Sequence, residues 1–375
     1  MKYYPIAKPY ITEEDKKSVL AVLNTDYLSL GPKSLEFEKM FAKKMRAKYA
    51  STVSSGTAGL HLAMLACNIG QGDEVITTPF SFVASANCIL YVGAKPVFAD
   101  IDPFTYNIDP SKIEKKITKK TKAILVVHIF GQSCDMDPIL KIAKKHKLQI
   151  IEDVCESICS TYKDRRLGSF GKAGIFAFYP NKQMTVGEGG MVITNDRKIY
   201  EICESLKNQG RAENDQWLEH KYLGYNYRLD EMSAALGISQ LKKINFMIGE
   251  RRKIAGWYNN ILKSYTELVQ VPVIQSGNKH TWFVYVIKIR NKKVNRDRLM
   301  INLKKVGIST KPYLPSIHLF EFYRKQFGFK KGDFPISEEM SAYSLALPIY
   351  IGLTKPDCEH ICRCLIKEIA KLVKK

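Results

Sequence analysis

A chain of 375 residues, 45% apolar and 25% charged, is longer than one ordinary core requires, so it reads as a large domain followed by a smaller one. It contains no low-complexity tract or fixed-period repeat, and its nine cysteines lack the spacing of a disulfide scaffold, which fits a reducing cytoplasm. The formal net charge of +21 raises nucleic-acid binding, but the lysine clusters (Lys115–Lys116, Lys119–Lys120, Lys122, Lys144–Lys145, Lys374–Lys375) are scattered and lack interleaved aromatics. They read as solvated helix faces whose positive surplus would draw in an anionic substrate, with no nucleic-acid partner expected.

The N-terminal MKYYPIAKPY has no apolar signal core. Thr12 caps a helix running to about Leu23, and Tyr27–Pro32 is a loop before a second amphipathic helix, Ser34–Ala47. Tyr49–Ser54 reads as a strand and Thr57–Cys67 as a helix, with Ser55-Gly56-Thr57 at the joint. A helix N-terminus offers unpaired N–H groups and a partial positive charge, so this joint is either a phosphate site or an ordinary cap. Val75–Ala94 carries no charge over a membrane-spanning length, but Thr77, Thr78, Pro79, Ser81, Ser85 and Asn87 suit a strand, a loop and a buried helix better. No membrane partner is expected. Glu74–Thr78, Ala94–Asp100 and Lys122–His128 are strands, Asn87–Val92 and Ile113–Ile117 belong to helices, and Pro138–Lys147 is a helix. His128, alone at a strand end, reads as structural.

The densest signal lies in 148–195. The apolar run Leu148–Ile151 stops at Glu152–Asp153; the run Gly174–Tyr179 stops at Pro180-Asn181-Lys182; the glycine-rich Gly187-Glu188-Gly189-Gly190 leads into Met191–Thr194. Runs of this length between turn residues are buried strands. In open α/β sheets, ligands bind beyond the carboxyl ends of the strands. An acid and a lysine at strand ends can be a plain ion pair. An Asp followed about thirty residues later by a Lys beside a Gly-rich loop also suits pyridoxal phosphate (PLP), the lysine bonding the cofactor and the acid supporting its ring nitrogen.

After Asn195 come a helix at Arg197–Lys207, a polar loop at Asn208–His220, a helix at Asp230–Ile244 and a connecting helix at Arg251–Lys263, where a large domain (1–250) gives way to a small one (251–375). Strands at Thr281–Ile289 and Gly307–Lys311 and helices at Asp297–Lys305, Ser337–Leu345 and Pro356–Val373 make the latter a small α+β unit. Cys358, His360, Cys362 and Cys364 invite a zinc reading. Cys358, Ile361, Cys362, Leu365, Ile369 and Leu372 nevertheless share one helical face, so they read as core and no metal is expected.

Six segments in order, SSGTAGLHLA, GDEVITTPFSFVASAN, PVFADIDPFTYNID, IIEDVCES, FAFYPNKQMTVGEGG and LGYNYRLDEMSAALGISQL, resemble the PLP-dependent nucleotide-sugar aminotransferases of the DegT/StrS type. The resemblance covers essentially the whole chain. It implies an α/β fold of PLP aminotransferase type I: a large domain with a mostly parallel central sheet flanked by helices, plus a small C-terminal α+β domain on which the first dozen residues pack. It implies that Lys182 holds PLP and shuttles a proton between the donor's α-carbon and the cofactor's C4′, with Asp153 at the ring nitrogen. It assigns the cofactor phosphate to Gly56, Thr57 and Ala58, ring stacking to Phe82, and the vicinity of the ring hydroxyl to Glu156. It gives Asn226 a phosphate contact across a homodimer with composite sites. Tyr27, Ser29, Tyr179, Tyr313 and His318 become candidates for the substrate side. The implied partners are a keto-sugar nucleotide and an amino donor, glutamate. Two positions depart from the commoner pattern: Glu156 replaces a Gln or His, and Ala177 replaces a phosphate-binding Ser. A cyclitol aminotransferase is the nearest rival. A PLP sugar dehydratase would carry His at the lysine position, and a non-catalytic regulator would not need Asp153, Lys182 and the Gly-rich loop intact.

Overall fold

The computed structural model describes residues 2–212 and 219–373. Lys374–Lys375 and part of the expected Asn208–His220 loop lie outside the described residues.

Seven strands form the central sheet: β1 (Tyr49–Val53), β2 (Glu74–Thr77), β3 (Lys95–Phe98), β4 (Thr121–Val127), β5 (Gln149–Asp153), β6 (Ala173–Ala177) and β7 (Gly190–Thr194). Their order is β1-β7-β6-β5-β4-β2-β3, and β7 pairs antiparallel with both neighbours while the remaining pairings are parallel. Helices cover both faces, which is why β2 and β7 are buried at every residue and read as unbroken apolar runs rather than as alternation. One layer packs Phe37, Phe41 and Met45 of the helix Pro32–Met45 and Ala234–Ile248 of a long helix onto Phe176 and Met191. The other packs the helix Gly56–Ala66 and Cys203 and Leu206 of the helix Arg197–Lys207 onto Val75, Leu125 and Ile175. The charge-free segment splits into β2 and a buried helix, Ala84–Tyr91, and among the described residues no helix is long and apolar enough to cross a membrane.

A second core surrounds a three-stranded antiparallel sheet of Val269–Gln270, Tyr285–Ile289 and Ser344–Leu347. The helices Arg296–Lys305 and Lys355–Val373 close it, and Cys358, Ile361, Cys362, Leu365 and Ile369 all pack inside. Tyr4 joins this core, its backbone paired with Gly307 and Ser309.

Four expectations need correction. Asp230–Ile244 and Arg251–Lys263 are one helix, Glu231–Leu262, because Gly249 sits on an open face where its lack of a side chain breaks nothing. This helix gives Ala234–Ile248 to the first core and Ile254–Leu262 to the second, so the division we propose near residue 250 falls inside a helix and not in a linker. Ser337–Leu345 is a helix only to Tyr343; Ser344–Leu347 leaves it to pair with Tyr285–Lys288. Gly307–Lys311 is not a strand, but makes isolated bridges from Ile308 to Tyr4 and from Lys311 to Ala346. The strand expected from Thr281 begins at Tyr285, because Thr281 and Phe283 instead donate their N–H groups to Gly131 and Phe130. That diversion carries Phe283 toward the end of the large sheet.

Candidate active site

Strand β5 ends in two acids on opposite faces, as the two-residue period of a strand requires. Glu152 is fully buried and accepts the N–H groups of Gly168 (2.7 Å), Phe170 (2.6 Å) and Gly171 (2.9 Å). His128 is equally buried; its Nδ1 accepts from Cys134 N–H at 3.1 Å, which leaves the proton on Nε2 to donate to Glu152 at 3.2 Å. This pair braces the sheet, in line with the structural reading of His128. Asp153 turns the other way, into a cavity of about 500 Å³ lined by Ser55–Thr57, Phe82, Ser85, Glu156, Lys182 and Tyr313 among others. Its Oδ1 accepts from Cys155 N–H at 3.0 Å and its Oδ2 from Ser85 Oγ at 2.7 Å, with Ser81 Oγ a further 2.7 Å from Ser85 Oγ. Both oxygens are thus oriented before any ligand enters.

Lys182 follows β6 in a turn closed by its own N–H to Tyr179 C=O at 2.9 Å. Its amine lies 4.0 Å from the centroid of the Phe283 ring and 3.8 Å from Glu156 Oε1. Glu156 is anchored through Oε2 by the Phe130 N–H at 2.8 Å. Burial pushes the Glu156 carboxyl up, and the Lys182 charge pulls it back. Burial also pushes the Cys155 thiol and the Tyr313 phenol up, so both stay protonated.

The third component is the start of the helix Gly56–Ala66. Ser55 caps it by accepting from Ala58 N–H at 3.1 Å, leaving the first-turn amides of Gly56 and Thr57 at the cavity. The approach is close enough to demand glycine. A Cβ on Gly56 would lie 2.7 Å from Ala177 Cβ and 2.9 Å from Cys155 Sγ, and one on Gly190 would lie 2.7 Å from the Ser55 carbonyl. Asn181 also lines the cavity, and its Oδ1 is buried with no hydrogen-bond partner among the described residues.

Lys182, Asp153, Gly56, Thr57, Glu156, Phe82, Tyr179 and Tyr313 therefore converge on one cavity, with Ala58 just behind it in the helix cap. Four further candidates do not reach it within a single chain. His318 is fully buried elsewhere, its Nε2 3.0 Å from Glu338 Oε1 and its ring against Phe334; this polar and aromatic packing, rather than the YLPSIH sequence around it, determines its place. Tyr27 is 61% exposed, Ser29 makes a backbone bridge to Asp230, and Asn226 is exposed with its backbone bridged to Asn208. Ser81, Ser85, Asn181 and Phe283 are cavity residues that sequence reasoning missed. The i, i+4 spacing of Ser81 and Ser85 on PFSFVAS was a usable signal; nothing in the sequence brings Phe283 across from the second core.

A lysine beyond one strand end, a fixed acid beyond its neighbour and a glycine-tight helix N-terminus define an α/β enzyme of the aminotransferase type. Residues 9–366 match the DegT/DnrJ/EryC1/StrS aminotransferase family, and the chain belongs to it. It is 36% identical over 362 residues to the GDP-perosamine synthase of Caulobacter vibrioides, covering 96% of each chain. It is 38% identical over 381 residues to the spore coat polysaccharide biosynthesis protein SpsC of Bacillus subtilis, covering 98% of this chain and 97% of that one. Among solved structures, PseC of Helicobacter pylori, an aminotransferase involved in the biosynthesis of pseudoaminic acid, superposes with a TM-score of 0.93 at 31% identity, over 99% of this chain and 100% of that one.

Proposed function

We propose that the chain transfers an amino group from glutamate to the keto carbon of a nucleotide-linked sugar. The reading has it use pyridoxal 5′-phosphate bonded to Lys182, as a homodimer in the reducing cytoplasm. The observation that carries this reading is the convergence of Lys182, Asp153 and the Gly56 helix N-terminus on one cavity. The residues fit the cofactor: an amine on a tether, a carboxylate oriented at both oxygens, a cradle that a Cβ at Gly56 would fill, and the unpartnered Asn181 Oδ1. A relative named for making GDP-perosamine supports a nucleotide-linked sugar as acceptor, and a net charge of +21 favours an anionic one.

When bound, pyridoxal phosphate supplies a ring that accepts electrons from the donor's α-carbon. The chain's residues do the rest. Lys182 Nζ would take the α-carbon proton as base and deliver it as acid to the cofactor's C4′. Asp153 would keep the ring nitrogen protonated, and Ser85 and the Cys155 N–H hold the Asp153 carboxylate in place. The amides of Gly56 and Thr57 would bind the phosphate at the positive end of their helix, with Ala58 N–H held by the Ser55 cap. Phe82, which lines the cavity, would stack on the ring.

The test is an amino-transfer assay with glutamate against a panel of keto-sugar nucleotides and one cyclic keto-cyclitol. Turnover on a nucleotide sugar is expected. Turnover on the cyclitol alone would replace the acceptor, and no amino transfer to any ketone would overturn the reading.

A further inference from the structure

Glu156 lines the cavity at a position where the commoner family pattern has Gln or His. Its carboxylate is held by the Phe130 N–H at 2.8 Å on Oε2, and its free Oε1 faces Lys182 Nζ at 3.8 Å. Both side chains are largely withdrawn from water, at 14% exposure for Lys182 and 10% for Glu156. The same amine lies 4.0 Å from the Phe283 ring centroid, where a cation is favoured. The other titratable groups around Glu156 are Asp153 and Cys155 from its own segment and Tyr313, whose ring packs on Phe130 and Phe283. Asp153 is committed to Ser85 and the Cys155 N–H, and Cys155 and Tyr313 are kept neutral by burial. Lys182 is therefore the cation that compensates Glu156. A buried carboxylate that loses its only compensating charge is costly unless it takes up a proton.

We propose that Glu156 is the counter-ion and proton partner of the Lys182 amine, holding it as an ammonium beside Phe283 while the lysine is free and accepting its proton when the lysine acts as a nucleophile. In that step an Nζ–H bond breaks and an Oε1–H bond forms. The ammonium–carboxylate pair becomes an amine and a carboxylic acid, and the site's net charge does not change. The raised affinity of the buried Glu156 carboxyl for a proton favours this direction. A glutamine would make the same contact with Phe130 but could not take the proton. Glu156 thus acts directly on Nζ of Lys182, and the proposal rests on the reading of Lys182 as the cofactor-bearing lysine.

The test uses the full chain freed of cofactor. Acetylation of Lys182 by acetic anhydride at pH 7.5 is followed by mass spectrometry against exposed lysines. Glu156→Gln should raise the Lys182 rate about tenfold, because the carboxylate that faces the amine at 3.8 Å is gone. Phe283→Leu, which keeps apolar bulk but loses the ring face, should raise it by a smaller factor. A second measurement is independent of labelling: Lys182→Met should lose melting temperature progressively as pH rises from 5 to 8, and adding Glu156→Gln should abolish that loss. An unchanged or lower Lys182 rate in Glu156→Gln, or no relief in the double variant, overturns the proposal. Cofactor attachment is read separately by reductive trapping: trapping at Lys182 with an unchanged acetylation rate sinks only the pairing, while the tenfold rise with trapping elsewhere sinks only the cofactor assignment.

Discussion

Glu152 and Asp153 are chemically near-identical neighbours, and the strand's alternation gives them different work. The family resemblance singled out Asp153 from the acid pair at the strand end; the local residues alone do not, because the division depends on which side the Gly168–Gly171 amides and Ser85 arrive from. The division makes a specific prediction for Asp153→Asn. The new amide can accept from Cys155 N–H and donate to Ser85 Oγ, which turns its own proton to Ser81, so the fold and cofactor uptake should survive. The fixed charge is lost, and turnover should fall by about 100-fold or more. Near-normal turnover of the variant in the glutamate assay would remove Asp153 from the mechanism.

At the level of elements, the strands that build the site were legible because burial on both faces leaves unbroken apolar runs, and the first helix start was legible from its Thr12 cap. What escaped were choices made by distant partners. Nothing local separates the SLAL run of 344–347 from a helix end; Tyr285–Lys288 supplies the pairing. The sequence reading left 245–250 between two helices, and in the fold one helix runs through it. The N-terminal helix shows how such long-range contacts stabilise. Asp15 closes a capping box with Thr12 and is buried, its Oδ2 accepting from Lys243 Nζ at 2.6 Å and Gln240 Nε2 at 2.9 Å on the long helix. Burial works to raise this carboxyl, but Lys243 and the other donors prevail and hold it below the ordinary range. A depressed folded value means stability that is present above the unfolded value of about 4 and is lost as pH falls through it toward the folded value. Asp15→Ala should therefore cost about 2 kcal/mol at pH 7 by urea denaturation. The gap from the unaltered chain should narrow toward pH 3, and a gap independent of pH would contradict this role.

Across the whole molecule, one chain leaves parts of the expected site unassembled. Tyr27 (61%), Leu30 (58%) and Leu223 (89%) are exposed, and the Tyr27–Leu30 loop is tied to the start of the long helix through Leu28 C=O and Glu231 N–H. Asn226 lies just before that helix in the chain and is exposed too, as is the Tyr27–Leu30 loop. We propose that this loop packs on a second copy and that Asn226 reaches the partner's cofactor phosphate. Lys182→Ala and Asn226→Asp should each be inactive, the second because a carboxylate repels phosphate where loss of one neutral hydrogen bond would cost only about 1 kcal/mol. Mixed and allowed to exchange subunits, they should regain activity, since one hybrid site carries both lesions and the other carries neither. Verified exchange without recovery would rule out the shared site.

The central claim is that Lys182 carries the cofactor beside Asp153, and reductive trapping tests it most directly. The enzyme saturated with pyridoxal phosphate is reduced with borohydride, digested and mapped by mass spectrometry. A phosphopyridoxyl group on the peptide containing Lys182, abolished by Lys182→Ala, is the result expected. A stable label on any other lysine, or none on an enzyme shown to hold the cofactor, would contradict the account.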